Sequence, residues 1–174
     1  MYEKNIVEIA RIHAFEAHKA VNHLYNGEPY EVHLMLAQTT GAHFKHLIPE
    51  EDYLNVMAGI LEHDSIEDCG LTFNDIKNAT NEMVAELAYA CTNEKGRNRA
   101  ERANDKYYEG IRNTKYATFV KLCDRIANVS YSLEKKSRMF DLYKKENAHF
   151  KKMLYVKGEY EEMWNFLELI LTLT

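Results

Sequence analysis

A chain of 174 residues with 46% hydrophobic and 28% charged residues has the balance of an ordinary globular protein, which excludes intrinsic disorder, and is long enough to close one hydrophobic core. Two prolines and seven glycines are too few for a turn-rich β-sandwich and leave room for long helices. A formal net charge of −5 argues against a surface for a nucleic-acid polymer, although one local basic pocket can still hold a phosphorylated small molecule.

Cys69, Cys91 and Cys123 form no CxxC pair and are odd in number, which fits a reducing, cytoplasmic compartment without a disulfide framework. The opening Met1-Tyr2-Glu3-Lys4-Asn5 is polar, with no signal-peptide core, and no apolar run reaches membrane-span length. No membrane partner is expected. A homo-oligomer is compatible with the sequence.

The first predicted helix runs from about Glu3 to His23, with Ile6, Ile9, Ala10, His13, Ala14, Ala17 and Val21 as its buried stripe. Asn26-Gly27 stops it, and Pro29 suits the start of a second helix that carries Tyr30, His33 and Ala37 and ends near Gly41. Pro49-Glu50-Glu51-Asp52 opens a third, with Leu54, Met57, Ala58 and Leu61 facing inward and Gly70 as the latest stop. Thr72 and Asp75 resemble a capping box, and Ile76, Met83, Val84, Leu87 and Cys91 continue as helix, with a second cap available at Thr80-Asn81. The stretch 92–99 reads as loop. Helices follow over roughly 100–112, 115–133, 138–154 and 159–172, the last amphipathic through Met163, Phe166, Leu167, Ile170 and Leu171. One all-α domain spanning 1–174 is the expectation.

Among residues that carry chemistry, His63-Asp64 followed by Glu67-Asp68 is the sharpest cluster. At helical spacing these four groups share one side, and three carboxylates so close repel unless they lie at the surface or a divalent cation neutralises them. Lys121, Asp124, Asn128 and Tyr131 form a polar stripe opposite Val120, Cys123, Ile126 and Ala127. By spacing alone that stripe reads as the solvated face of a surface helix. Periodicity does not single out His33 among the eight histidines.

A resemblance does. Gly27-Glu28-Pro29-Tyr30-Glu31-Val32-His33, preceded by Ala17-His18-Lys19, resembles the GEPYxxH segment of RelA/SpoT-type hydrolase domains of the HD superfamily. Ile60-Leu61-Glu62-His63-Asp64-Ser65-Ile66-Glu67-Asp68 is similar to that family's LLHDxxED, and Leu71-Thr72 continues the match. Val120-Lys121-Leu122-Cys123-Asp124-Arg125-Ile126-Ala127-Asn128 resembles VKLADRLxN. The three blocks stand in the family's order over roughly 14–130, with C-terminal helices beyond, at about 138–172.

The resemblance implies an HD-type helical bundle and a metal-dependent phosphohydrolase. It implies one divalent ion held by His33, His63, Asp64 and Asp124, a ligand set suited to Mn²⁺ and also acceptable to Fe²⁺ or Zn²⁺. Glu67 and Asp68 are implied to orient or deprotonate the attacking water, and Lys121, Asn128 and Tyr30 to lie at the substrate. The implied substrate is a phosphorylated nucleotide cut at a phosphate or pyrophosphate ester, with a (p)ppGpp-like 3′-pyrophosphate as first candidate. A nucleotide 5′-phosphatase and a nucleotide-binding module with weakened catalysis are the alternatives.

The chain also departs from the family. Asn22-His23-Leu24-Tyr25-Asn26 lacks the basic pair that precedes GEPY, Leu34 stands where Pro is usual, and Glu62 replaces an apolar residue and brings another acid beside the metal. Lys95, Arg97, Arg99, Arg102 and Lys106, in and after a Gly-containing loop, are the candidate replacements for phosphate binding.

Overall fold

The computed structural model describes residues 5–173, apart from the side chain of Ala100. Helix α1 spans Ile6–Ala20 and begins where the Asn5 side chain accepts from the Glu8 N–H; the expected start at Glu3 lies outside the described residues. It ends earlier than His23 because Asn22 turns left-handed (φ 52°), so that Asn22 N–H and His23 N–H close back on the carbonyls of Lys19 and His18. Ala10 and Ala14 are buried, but Val21, expected in the stripe, lies beyond that turn and is 47% exposed.

Asn26-Gly27 does more than stop a helix. With φ of 52° and 90° the two residues form the tight turn of a small antiparallel hairpin, β1 (Leu24–Tyr25) and β2 (Glu28–Pro29). Pro29 therefore sits in a strand, and α2 starts after it, at Glu31–His43. A short 3-10 turn, Lys45–Leu47, leads to α3 (Glu50–Glu62), which opens after Pro49 with three acidic residues in its first turn. Then come α4 (Ser65–Cys69), closed by left-handed Gly70, α5 (Phe73–Ala79), opened by the Thr72/Asp75 capping box, and α6 (Glu82–Cys91), capped by the Asn81 side chain on the Val84 N–H.

The expected helix over 100–112 is two, α7 (Arg99–Arg102) and α8 (Asp105–Asn113), because Asn104 caps a fresh start by accepting from the Tyr107 N–H. The C-terminal part is α9 (Ala117–Glu134), α10 (Arg138–Leu154) and α11 (Glu161–Thr172).

Two helices organise the bundle. α3 packs against α1, α2, α6 and α9, and α9 packs against α2, α6, α8, α10 and α11. From Val56 to Glu62 every residue of α3 is buried, so this half has no polar side, while Leu54, expected to face inward, lies before the enclosed part and is 47% exposed. The α3–α6 contact is close because Gly59 has no Cβ; one built there would stand 2.6 Å from the Leu87 side chain. On α11, Met163, Leu167, Ile170 and Leu171 are buried, whereas Phe166 lies at the rim against Phe44. Among the described residues no helix is long and apolar enough to cross a membrane.

Candidate metal centre and substrate cavity

His33 rises from the first turn of α2, His63 and Asp64 leave the end of α3, and Asp124 lies midway along α9. The packing of α2 and α3 on α9 brings these three segments to one point. His63 Nδ1–H donates to the Ile60 carbonyl at 2.7 Å, which fixes the ring and turns Nε2 inward. There it stands 3.2 Å from His33 Nε2, 2.9 Å from Asp64 Oδ2 and 3.7 Å from Asp124 Oδ1. His33 Nε2 lies 3.5 Å from Asp64 Oδ2 and 3.4 Å from Asp124 Oδ1.

Ligands about 2.1 Å from one divalent ion are separated by about 3.0–3.4 Å in octahedral or tetrahedral order, so these spacings suit a shared cation. His33, His63 and Asp64 each offer an atom within 4.8 Å of the others. Asp124 lies outside that mutual group but approaches both imidazoles, at 3.4 and 3.7 Å. The donor set of two imidazoles and two carboxylates fits a divalent ion.

The electrostatics point the same way. Burial alone would lower the His63 pKa, but the Asp64 charge and the bonds to Asp124 and Asp64 outweigh it and hold it at about 10. Burial would raise Asp64 and Asp124, yet His63 beside the first and Lys121 beside the second keep both well below the usual carboxylate range. Two buried carboxylates thus stay ionised, balanced by His63 and Lys121.

His63, Asp64 and Asp124 are each held from behind, whereas the buried His33 Nδ1 has no partner. The Tyr30 hydroxyl donates to Asp64 Oδ2. Lys121 Nζ pairs with Asp124 Oδ2 at 2.7 Å, and the Asn128 amide donates to Asp124 Oδ1 while accepting from the Tyr25 hydroxyl at 2.9 Å. The stripe that spacing alone assigns to solvent is therefore interior. Asp124 and Tyr131 are each 8% exposed, because α9 is surrounded by its neighbours.

A cavity of about 340 Å³ opens beside the centre. Its walls include the predicted residues Tyr30, Asp64, Glu67, Asp68, Arg99, Arg102, Lys121, Asp124 and Asn128. Glu67 accepts from the Asn93 backbone and side-chain N–H groups at 3.2 and 3.0 Å, which ties α4 to the loop after α6. Desolvation, reinforced by the charges of Asp64 and Glu67, pushes the Asp68 carboxyl up to about 7. Arg97 is exposed and does not line the cavity; its N–H is bound to Glu101 at 2.8 Å. Lys106 pairs with Glu94 at 2.7 Å, and neither Lys95 nor Lys106 lines the cavity.

Glu62 corrects the expectation of a further acid beside the metal. One position earlier on α3, its side chain points to α1, where Oε1 meets His13 Nδ1 at 2.7 Å. In place of a basic pair before Gly27, His23 stacks on Tyr30 (centroids 3.9 Å apart), which stacks in turn on His18.

Sequence reasoning missed much of the far wall, including Asn93, Tyr107, Tyr108, Arg125, Tyr143 and Glu146. Arg125 is buried between the Tyr143 and Phe150 rings, and Glu146 bridges it to Arg99 at 3.1 and 2.7 Å. The signal was present: Tyr143, Glu146 and Phe150 recur at 3–4-residue helical spacing.

No family model matches the chain, and no curated protein matches it. Among solved structures it is similar to a metazoan ortholog of SpoT that hydrolyzes ppGpp and plays a role in starvation responses, with a TM-score of 0.75 and 20% sequence identity, covering 99% of this chain and 97% of that one. Likeness at that level over both lengths shows that this chain shares the all-helical fold of that protein.

Proposed function

We propose that the protein is a metal-dependent phosphohydrolase that removes pyrophosphate from a guanosine-polyphosphate-like nucleotide. The observation that carries this reading is the convergence of His33, His63, Asp64 and Asp124 at one end of a cavity whose other walls bear Lys121, Arg99, Arg102 and Arg125. Such a cavity pairs a cation-binding end with a phosphate-binding one. The solved structure of similar fold is that of a ppGpp hydrolase, which supports the choice of substrate.

In this reading the four ligands hold one divalent cation, with Mn²⁺ the first candidate. A bound divalent cation supplies Lewis-acid polarisation of a phosphate oxygen and acidifies water. The chain's own residues do the rest. Tyr30 and Asn128 fix the two carboxylates, and Lys121 balances Asp124 and faces the substrate phosphate. Asp68, with a pKa near the working pH, accepts the proton of the attacking water, and Glu67 holds that wall in place. Arg99 and Arg102 bind phosphate oxygens remote from the cut. The cytoplasm is the expected setting.

The test is a nucleotide panel with Mn²⁺-loaded protein, with products identified by phosphorus NMR. Release of pyrophosphate from a guanosine 3′-diphosphate is expected. Release of orthophosphate from 5′-monophosphates alone would make the protein a 5′-nucleotidase instead.

A further inference from the structure

Several buried polar side-chain atoms of the described residues lack a hydrogen-bond partner, and among them only the Tyr107 hydroxyl belongs to a residue that lines the cavity. Tyr107 stands on the first turn of α8, is 4% exposed, and has its ring 5.8 Å from Lys121 Nζ. Burying a hydroxyl without a partner costs stability, and a phenylalanine would fill the same space without that cost. Lys121 lies near enough to serve the oxygen's lone pairs, so what the fold leaves without a partner is the hydroxyl proton.

The lysine does not resolve the problem. Lys121 is committed to Asp124 at 2.7 Å, and an ammonium has only protons to give. Even where it lies near the phenol oxygen, the phenol's own proton still has no acceptor. Burial keeps that proton in place by pushing the Tyr107 pKa upward. The missing partner is therefore an acceptor that enters the cavity from outside. Tyr107, Lys121 and Asp124 form a row that ends at the metal ligands, so the acceptor arrives beside the cation site, where a phosphate brings oxygens with free lone pairs.

We propose that the Tyr107 hydroxyl donates a hydrogen bond to an oxygen of the phosphate group that is cut, next to Lys121. This rests on the hydrolase reading above, and it adds a substrate-contacting residue that neither motif spacing nor the three sequence blocks indicated.

The experiment compares wild type with Tyr107→Phe in three measurements: Tm, kcat/KM on guanosine 3′-diphosphate 5′-diphosphate with Mn²⁺, and calorimetric affinity for inorganic pyrophosphate. The expected pattern is a Tm raised by about 2–4 °C, with kcat/KM and pyrophosphate affinity each lowered about 10- to 100-fold. A lowered Tm would mean that the hydroxyl has a partner within the fold, and unchanged kcat/KM and affinity would mean that it meets no phosphate; either result overturns the proposal. If wild type hydrolyses nothing but pyrophosphate binding still weakens in the variant, the contact of Tyr107 with a phosphate oxygen stands, while the hydrolase reading, and with it the assignment to a phosphate that is cut, falls. If wild type neither hydrolyses nor binds pyrophosphate, both fall.

Discussion

Glu62 and His13 offer a pair of substitutions with opposite expected signs. The Glu62 side chain is fully buried; Oε1 meets His13 Nδ1 at 2.7 Å, and Oε2 has no partner. His13, at 26% side-chain exposure, reaches water along one edge. Replacing Glu62 with Leu removes the unpaired oxygen, a gain of about 1–3 kcal/mol, and adds about 1.5 kcal/mol of apolar burial. It loses one charge-assisted hydrogen bond of about 1.5–3 kcal/mol, and the freed imidazole can turn to water. The balance is a gain of about 1 kcal/mol, or about 2–4 °C in Tm for a chain this size. His13→Ala does the reverse, leaving a buried carboxylate with neither oxygen paired. Breaking a buried pair from one side costs about 3–5 kcal/mol, and the exposed edge of His13 puts this case at about 3 kcal/mol, or about 6–12 °C. Thermal melts of both variants read the signs, and turnover of Glu62→Leu should match wild type because the side chain faces α1. A Glu62→Leu protein as destabilised as His13→Ala, or one that has lost activity, would refute the reasoning.

The same pair gives a pH dependence. The bond to Glu62, partly opposed by burial, raises the His13 pKa above 6.5. Its protonated form therefore stabilises the fold fully below the unfolded value, and that gain is lost as pH rises through the folded one. The Tm advantage of wild type over His13→Gln should shrink as pH rises above the unfolded value of 6.5, and a gap that widens would contradict the assignment. At the centre, Glu67→Ala with Asp68→Ala should abolish turnover while most of the metal stays bound; near-normal rates would move the base elsewhere. For the base, a stack of His23 on Tyr30 replaces a charged grip before Gly27. Matched guanosine and adenosine substrates should therefore agree in kcat/KM within about tenfold, and a guanine preference of about a thousandfold would show a specialised pocket.

The residues explain unevenly how much could be read in advance. Helix caps such as Asn81 and Thr72 act within four residues, and the structure has them where the sequence indicates. Asn26-Gly27 was read only as a helix stop; the dipeptide also favours a two-residue hairpin turn, but the short strands beside it carry no alternating pattern to announce one. Asp124 was not legible by periodicity. A polar stripe on a helix looks the same whether it faces solvent or a buried cation, and only the ordered blocks around His33 and His63 distinguished the two. Glu62 failed the other way. Adjacency in sequence suggested a neighbour of the metal, while the 100° step of a helix turned it toward α1. On the far wall the spacing of Tyr143, Glu146 and Phe150 marks one face of a helix, but that this face meets the cavity depends on how α8 and α10 close over α9, which no local pattern encodes.

The most direct measurement is metal content by elemental analysis of wild type, His63→Ala and Asp124→Ala, each purified with Mn²⁺ and checked for folding. One ion per wild-type chain, and a marked loss in both variants, is the result expected if His33, His63, Asp64 and Asp124 form the centre. Undiminished stoichiometric metal in both folded variants would contradict it.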